Sequence, residues 1–287
     1  MILDNGSVVR KYNEDGQYMK VLIILLVLVV LYLFLVAPRM LNRADRTAFL
    51  NRHYAHRGLF DNASEAPENS LAAFRKAVEA GYGIEFDVQL SKDDKLVVFH
   101  DATLKRMCGV DGHVWDYTLA ELKQFKLANS EETIPTFEEV LAVVGGRVPL
   151  IIEYKLDRVQ TKVCELADAV LLRYHGPYCI ECFHPLAVYW YRRHCPEVLR
   201  GQLCEEHFRN PKHKGNPIYY AMSFLLTNVL TRPDFIAYNH KYESNLSRRV
   251  CRALGGLSVA YTIKNEEEYR RVKNKFDLFI FDSFILK

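Results

Sequence analysis

Hydrophobic and polar positions alternate along most of the chain with two periods, one typical of strands and one typical of helices. After residue 50, short runs rich in β-branched and aromatic residues alternate with stretches typical of amphipathic helices. The runs that predict strands are residues 53–58, 83–88, 95–100, 148–155, 178–183, 198–203, 234–239, 258–263 and 277–282. The predicted helices are residues 70–81, 136–145, 157–175, 185–195, 245–256 and 265–274. This alternation favours a parallel sheet with crossover helices. Nine candidate strands predict an α/β fold, a closed eight-stranded barrel with one strand outside the ring.

Residues 21–37 break this pattern, because they form a run of seventeen uncharged residues. As a helix the run would be about 25 Å long, the short end of what crosses a hydrocarbon core of about 30 Å. It has no polar face, which argues against a buried core helix. Pro38 follows it directly, which makes a poor site for signal peptidase. We expect a tail at 1–20, a retained transmembrane anchor at 21–37, a linker at 38–50 and one barrel domain at 51–287.

Charge and cysteine usage indicate where such a protein would lie. Basic residues are slightly more numerous after the apolar run (Arg39, Arg43, Arg46 and Arg52) than before it (Arg10, Lys11 and Lys20). This excess predicts a single-pass protein of the cell membrane with a cytoplasmic barrel. Seven cysteines, an odd number scattered through strands and helices, are typical of reduced thiols. A net charge of +3 is too small to indicate a nucleic-acid partner.

The stretch GIEFDVQLSKDDKLVVFHD, residues 83–101, predicts a hairpin that carries unexpected charge. Side chains alternate along a strand, so Glu85 and Asp87 share one face. A two-residue turn at Asp93 and Asp94 would place Asp87 directly opposite His100. Taken alone, the hairpin also fits an edge hairpin whose charged face is solvated.

Polar residues recur where the other predicted strands end. His56 and Arg57 end the first strand, Glu153 and Lys155 end the strand at 148–155, and Asp282 ends the last one. In barrels of parallel strands the functional site lies at the C-terminal ends of the strands. The repeated occurrence of acids, bases and histidines at equivalent ends therefore predicts an active site there.

These residue types favour metal-assisted phosphoryl transfer. Three carboxylates, Glu85, Asp87 and Glu153, suit one divalent cation, Mg²⁺ or Ca²⁺, better than zinc. The positive charges of Arg57 and Lys155 suit a phosphate group. Two histidines, His56 and His100, provide a general base and a general acid.

The same residues resemble the glycerophosphodiester phosphodiesterase family. The resemblance is carried by AHRG (55–58), APENS (66–70), the stretch at 83–101, IPTFEEVL (134–141) and LIIEYK (150–155), and more loosely by AYTIKN (260–265) and FIFDSF (279–284). It implies a TIM barrel that hydrolyses glycerophosphodiesters to glycerol 3-phosphate and an alcohol. It also implies that His56 and His100 are the acid/base pair, that Glu85, Asp87 and Glu153 hold the metal, and that Arg57 and Lys155 contact phosphate.

The sequence departs from the family pattern in three places, one of which is the hairpin turn, where Asp93-Asp94 stands in place of Asp-Gly. Tyr261 stands where the family usually has tryptophan, so we expect it to bind substrate and to influence head-group choice. Asp282 lacks the usual flanking glycine and proline and is left out of the predicted site.

Two other functions stay open on the sequence. One is a lyase of the sphingomyelinase D type, which would use the same histidines and release a cyclic phosphate. The other is a membrane-tethered, non-catalytic protein that binds phosphodiesters. The expected partners are a glycerophosphodiester or lysophospholipid-like substrate and membrane lipid.

Residues 215–231, GNPIYYAMSFLLTNVLT, contain no charge. They predict either a helix packed on the barrel or a surface on which Tyr219, Tyr220, Phe224 and Leu225 rest against the bilayer.

Overall fold

The strand runs assemble into a single sheet. The structure is a computed structural model that describes residues 5–156 and 159–286. Within these residues the sheet contains nine strands: β1 His53–His56, β2 Gly83–Leu90, β3 Leu96–Val98, β4 Leu150–Tyr154, β5 Tyr178–Cys182, β6 Leu199–Cys204, β7 Phe235–Asn239, β8 Leu257–Ile263 and β9 Leu278–Phe281. Each of them falls largely within a strand predicted from the hydrophobic pattern.

Eight of these strands close into a parallel barrel. The order of neighbours is β1-β9-β8-β7-β6-β5-β4-β2, and an additional pairing of β1 with β2 closes the ring. Strand β3 pairs with β2 in the antiparallel sense and lies outside the ring. The predicted irregular TIM barrel with a β2–β3 hairpin is therefore confirmed.

The register of this hairpin differs from the predicted one by one residue. Val88 pairs with Val98 and Leu90 with Leu96, so Phe99, not His100, follows as the partner of Asp87. Residues 91–95 connect the two strands, and the N–H of Ser91 donates to the carbonyl of Lys95 at 2.9 Å, which leaves a turn of three residues where two were expected. Asp94, the last residue of this turn, adopts a left-handed conformation (φ +58°). β3 ends at Val98, so the chain leaves the sheet before His100. The direction of the His100 side chain is therefore not set by the alternation of side chains along a strand.

Helices surround the barrel. The α-helices of the described residues are α1 Asn5–Val36, α2 Leu71–Glu79, α3 Lys105–Cys108, α4 Leu119–Leu122, α5 Phe137–Val144, α6 Lys162–Leu171, α7 Pro185–His194, α8 Pro217–Ser223, α9 Asn228–Thr231, α10 Leu246–Ala253 and α11 Glu266–Val272. α6 is shorter than the helix predicted over 157–175, and residues 157 and 158 lie outside the described part of the chain. The short helices α3 and α4 were not predicted.

The strands carry two apolar layers on their opposite faces. Outward residues such as Ile84, Phe86 and Ile152 pack against the helices. Inward residues such as Tyr54 and Ile151 fill the barrel near the N-terminal ends of the strands. Gly83 makes room for the Tyr54 ring, since a Cβ there would lie 2.5 Å from its ring carbons. This inner layer closes one end of the barrel and leaves the C-terminal end for polar residues.

Helix α1 lies against the barrel only near its C-terminal end. Within it, Gln17–Val36 is long and apolar enough to cross a membrane, with a mean hydropathy of 3.1. Residues 17–31 are exposed, whereas Tyr32 Oη forms a 2.9 Å hydrogen bond with Ser247 Oγ. The predicted apolar N-terminal helix is present. The boundaries predicted at residues 20, 37 and 50 stay predictions, since α1 continues through most of the predicted tail.

Candidate active site

The interior of the barrel changes from apolar to charged between successive inward-facing residues of a strand, which are two positions apart. In β4, Ile151 belongs to the inner apolar layer, and Glu153 follows two residues later on the same face. In β1 the same step leads from Tyr54 to His56. The charged layer therefore lies at the C-terminal ends of the strands, where the sequence predicted an active site.

Three carboxylates meet in this layer. The parallel register places Asp87 beside Glu153, and Glu85 lies two residues earlier on the same face of β2. One carboxylate oxygen from each of the three residues lies within 4.8 Å of the others. All three side chains are buried. The predicted metal ligands are thus brought together.

Burial and mutual repulsion give these acids different proton affinities. Burial, reinforced by the charges of Asp87, Glu181 and Glu153, raises the pKa of Glu85 well above its usual value. The pKa of Glu153 is also raised, mainly by burial and partly by Asp87. Burial opposes ionisation of Asp87 as well, but nearby Lys155, His100 and Arg57 hold its pKa well below the usual range. Asp87 is the permanently charged member of the group.

Two cations adjoin the acids. Lys155 Nζ lies 2.8 Å from Asp87 Oδ1 and 2.6 Å from Glu153 Oε1. Arg57 Nε lies 3.6 Å from Asp87 Oδ2. The backbone of Arg57 adopts a left-handed conformation (φ +56°), and its N–H donates to the carbonyl of Glu85 at 2.7 Å. The loop after β1 is thereby fixed against β2, which holds the guanidinium beside the acids.

His56 is supported by an acid from the last strand. Its Nδ1 lies 2.9 Å from Asp282 Oδ2, and its Nε2 lies 3.8 Å from Glu85 Oε2. Burial lowers the pKa of His56, and the hydrogen bond to Asp282 offsets part of that effect. With the carboxylate at Nδ1, the proton of the neutral ring stays on that nitrogen and Nε2 is an acceptor toward the site.

His100 has a similar partner from its own loop. Its Nδ1 lies 2.6 Å from Asp101 Oδ1. Arg106 Nε donates to Asp101 Oδ2 at 2.6 Å, and Arg106 Nη2 donates to Glu68 Oε1 at 2.6 Å. Glu68 Oε1 also accepts from Arg57 Nη1 at 2.7 Å. A chain of ion pairs therefore connects the loop of His100 with the loop of Arg57.

A cleft of about 590 Å³ opens beside the acids. His100, Glu153 and Lys155 line its polar side, and Phe183 and Tyr219 contribute to its apolar side. Tyr261 lies nearby, where its hydroxyl donates to the carbonyl of Cys204 at 2.9 Å and its ring meets Phe183 edge-on. The eight residues predicted for the site thus lie at one end of the barrel.

Comparison with known proteins agrees with this geometry. The model of the glycerophosphoryl diester phosphodiesterase family matches residues 56–284, which is most of the chain. The chain belongs to this family. The matched region begins at His56 and includes all of the acids and bases described above.

Individual relatives match over shorter stretches. A glycerophosphodiester phosphodiesterase of Bacillus altitudinis is 38% identical over 159 residues, 48% of this chain and 63% of that protein. A lysophospholipase D of Rattus norvegicus is 34% identical over 154 residues, 48% of each chain. The chain spans only 40% to 63% of the length of the first three curated relatives that it matches.

A solved structure covers more of the barrel. A phosphodiesterase of Oleispira antarctica, determined in complex with the product sn-glycerol-3-phosphate, is 25% identical and has a TM-score of 0.66. The alignment covers 82% of this chain and 94% of that one. The closed barrel with an additional strand is thus the fold of this family.

The donor set of the charged layer fits a hard divalent cation. It consists of carboxylate oxygens within reach of one centre, and Mg²⁺ and Ca²⁺ prefer oxygen ligands. Burial, together with the charge of neighbouring acids, raises the pKa values of Glu85 and Glu153. A bound cation would relieve that repulsion, as it does wherever metal binding displaces protons from acids.

Several residues of this layer escaped the sequence analysis. Asp282 was excluded on a motif argument, yet it is the partner of His56. Glu181 lies within the predicted strand 178–183 and pairs in register with Glu153, and its buried Oε2 has no hydrogen-bond partner among the described residues. Its position two residues after the inward Cys179 was the available signal, since Glu153 follows Ile151 in the same way. Glu68 lies in the loop after β1 and Arg106 lies in the short helix α3, so neither residue belongs to the periodic pattern of a strand.

Proposed function

We propose that the protein is a metal-dependent hydrolase that cleaves glycerophosphodiesters to glycerol 3-phosphate and an alcohol. The observation that carries this proposal is the pair of imidazoles, each with a carboxylate at Nδ1, beside three buried acids and two cations. Membership in the family and the activities named for its relatives support it. Glu85, Asp87 and Glu153 would hold one Mg²⁺ or Ca²⁺, which stabilises negative charge on the phosphoryl group when bound.

We assign the general base to His56 and the general acid to His100. His56 is half-buried and burial lowers its pKa, which favours the neutral ring, so its Nε2 can accept the proton of a water molecule that attacks the phosphorus. His100 lies at the more open cleft, with one third of its side chain exposed. As the new oxygen–phosphorus bond forms and the ester bond breaks, His100 Nε2 would give its proton to the departing alcohol.

Arg57 and Lys155 are assigned to the phosphate. Both side chains already adjoin the carboxylate of Asp87. A phosphate oxygen beside them would therefore give Arg57 and Lys155 a second negatively charged partner in the same layer. Tyr261 would form part of the substrate wall, since its hydroxyl is engaged by the backbone and its ring faces Phe183. A tyrosine at this position leaves more room than tryptophan and would affect which head group fits.

The test is product analysis on purified full-length protein in detergent. Glycerophosphocholine, glycerophosphoethanolamine and lysophosphatidylcholine are incubated with and without chelator. Glycerol 3-phosphate is assayed enzymatically for the first two substrates, and lysophosphatidic acid is measured for the third. The acyl-chain substrate is included because one relative is named a lysophospholipase D. Phosphorus NMR separates the outcomes: a phosphomonoester supports the hydrolase, a cyclic phosphate identifies a lyase, and no turnover of any substrate points to a non-catalytic binding protein.

We also propose that residues 21–37 anchor the protein in the cell membrane with the barrel in the cytoplasm. The support is an apolar helix whose predicted span is almost wholly exposed, followed by four arginines. A cysteine introduced at Leu172, which is 78% exposed, reports the side of the membrane. In intact cells an impermeant thiol reagent should leave L172C unlabelled until the cells are lysed. Labelling before lysis would place the barrel outside.

A further inference from the structure

The anchor helix leaves the barrel at the end that carries the active site. Helix α10 follows β7, so it begins at the C-terminal ends of the strands and runs toward the opposite end. Tyr32 of α1 contacts Ser247 in the first turn of α10, whereas Arg43, farther along the chain, donates to the carbonyl of Leu254 at its far end. The chain therefore descends along the barrel with rising residue number. Residues before Tyr32 extend beyond the active-site end.

The length of the apolar run brings the membrane close to that end. Residues 21–37 measure about 25 Å as a helix, already short for a hydrocarbon core of about 30 Å. The last part of the run, from Tyr32 to Ala37, is held against the barrel by contacts that include the 2.9 Å hydrogen bond from Asn228 Nδ2 to the carbonyl of Val36. Residues 21–31 alone would measure only about 16 Å. A bilayer spanned by this helix must therefore reach the level of Tyr32, a residue type enriched at membrane interfaces.

An apolar rim lies at the same end of the barrel. It consists of Ile218, Tyr220, Phe224 and Leu246, which are between 38% and 60% exposed. Helix α8 is fixed over the strand ends, because the carbonyl of Ser223 accepts a hydrogen bond of 2.9 Å from Tyr238 Oη at the end of β7. Leu246 directly precedes the residue that contacts Tyr32. The rim thus adjoins the point at which α1 departs.

The loops around this rim carry three exposed lysines, whereas their acids Glu206 and Glu243 are paired with Arg209 and Lys275. Lys212 and Lys214 precede α8, Lys241 follows β7, and all three are exposed. Exposed apolar side chains with lysines beside them are the combination that binds anionic lipid surfaces. The two properties meet at the end of the barrel toward which the anchor points.

We propose that the rim formed by Ile218, Tyr220, Phe224 and Leu246 rests on the bilayer that α1 spans, so that the active-site cleft opens toward the lipid head groups. This inference rests on the proposed membrane anchoring. Ile218 and Tyr219 of α8 also line the cleft, so the rim continues into the site. A glycerophosphodiester with an acyl chain would then reach the histidines while its chain remains in the membrane. Leu225, expected at the bilayer if residues 215–231 form such a surface, is instead fully buried and belongs to the barrel core.

Tryptophan quenching by brominated lipid tests the arrangement in the full-length protein. F224W places the probe on the rim, and L172W places it on an exposed leucine at the end of α6, near the opposite end of the barrel. Both variants are reconstituted in vesicles of phosphatidylcholine with one third phosphatidylglycerol, with or without bromine on the acyl chains. The wild-type signal from Trp115 and Trp190 is subtracted. Resistance of the protein to extraction at alkaline pH shows separately that α1 is inserted.

We expect loss of the added fluorescence for F224W in brominated vesicles and no loss for L172W. Circular dichroism verifies that both variants fold. If α1 is inserted and F224W is not quenched, or L172W is quenched equally, the rim does not face the bilayer and the inference is overturned. If α1 is not inserted, the anchoring itself is refuted, and the inference falls with it.

Discussion

His56 and His100 present the same chemical unit, an imidazole with a carboxylate at Nδ1, and the two units are assembled in opposite ways. The partner of His56 is Asp282, 226 residues away and directly after the adjoining last strand. The partner of His100 is the next residue, Asp101, held by Arg106 in an exposed loop. The first unit depends on closure of the barrel, because β1 and β9 must be neighbours. The second depends on one loop and its ion pairs.

The environments of the two histidines differ in the way that the proposed base and acid require. The barrel wall removes water from His56 and lowers its pKa, which favours a neutral acceptor. The loop leaves His100 in contact with the cleft through which an alcohol would depart. Burial thus separates two rings whose hydrogen bonds look alike.

Removal of the metal should have the largest effect, because both histidines would act on a phosphate held beside the same three acids. Chelation should abolish hydrolysis, and Mg²⁺ or Ca²⁺ should restore it, because the three acids would repel one another and the phosphate without a cation. D87N should weaken metal binding measured by titration calorimetry, since it removes charge with little change in volume. H56A and H100A should retain metal affinity and serve as controls. Full activity in chelator would contradict the assignment of the acids.

Replacement of either histidine comes next. H56A and H100A should each lower kcat by about 10²-fold or more, the range for loss of a positioned proton-transfer group. A substrate with an activated leaving group, such as a p-nitrophenyl ester, needs no general acid. It should restore H100A and leave H56A impaired. If the activated substrate restores H56A instead, His56 is the general acid and His100 the general base. Near-normal hydrolysis of glycerophosphodiesters by both variants would exclude this mechanism.

Replacement of Asp282 and of Asp101, the carboxylates that support the two histidines, should lower kcat by different amounts. D282N should cost about tenfold to a hundredfold in kcat, as expected for an orienting partner of a functional histidine. D101N should cost less, because the exposed ring of His100 can obtain a replacement hydrogen bond from water. The measurement is kcat for both variants across pH. Equal losses would show that burial of the pair does not matter.

The smallest effect concerns Glu68, which connects the two loops through Arg57 and Arg106. Although burial opposes its ionisation, hydrogen bonds from Arg106 and the charge of Arg57 lower the pKa of Glu68 to about 2. A lowered pKa stabilises the fold above the unfolded value near 4.5, and that contribution is lost as the pH falls toward 2. The contribution of Glu68 to the free energy of unfolding is about 3 kcal/mol at most.

The free energy of unfolding of the wild type should therefore decline between pH 5 and pH 3 more steeply than that of E68Q, as measured by urea denaturation of the full chain. R106K keeps the charge but not the forked geometry that binds Glu68 and Asp101 together. It should lie between the wild type and E68Q. Parallel profiles for all three proteins would show that this network does not stabilise the fold.

The local features of this protein can be read from its residue pattern. Alternation of strands and helices predicted the barrel and the additional strand, because burial of one face imposes a period that can be read from the residues. The same period placed Glu85 and Asp87 on one face of a strand. Motifs that follow strand ends identified His56, His100 and Glu153, whose assigned roles remain to be tested.

Tertiary structure decided what local periodicity does not encode. Closure of the ring brings Asp282 to His56, and the parallel register brings Glu181 beside Glu153. A turn of three residues that ends at the left-handed Asp94 shifts the hairpin register by one position. His100 nevertheless reaches the site because the strand ends before it. The direction of helix α1 is likewise set by contacts such as that of Tyr32 with Ser247, between residues 215 positions apart. Such contacts depend on how distant segments pack, and the hydrophobic pattern specifies which face of each segment is buried but not which partner buries it.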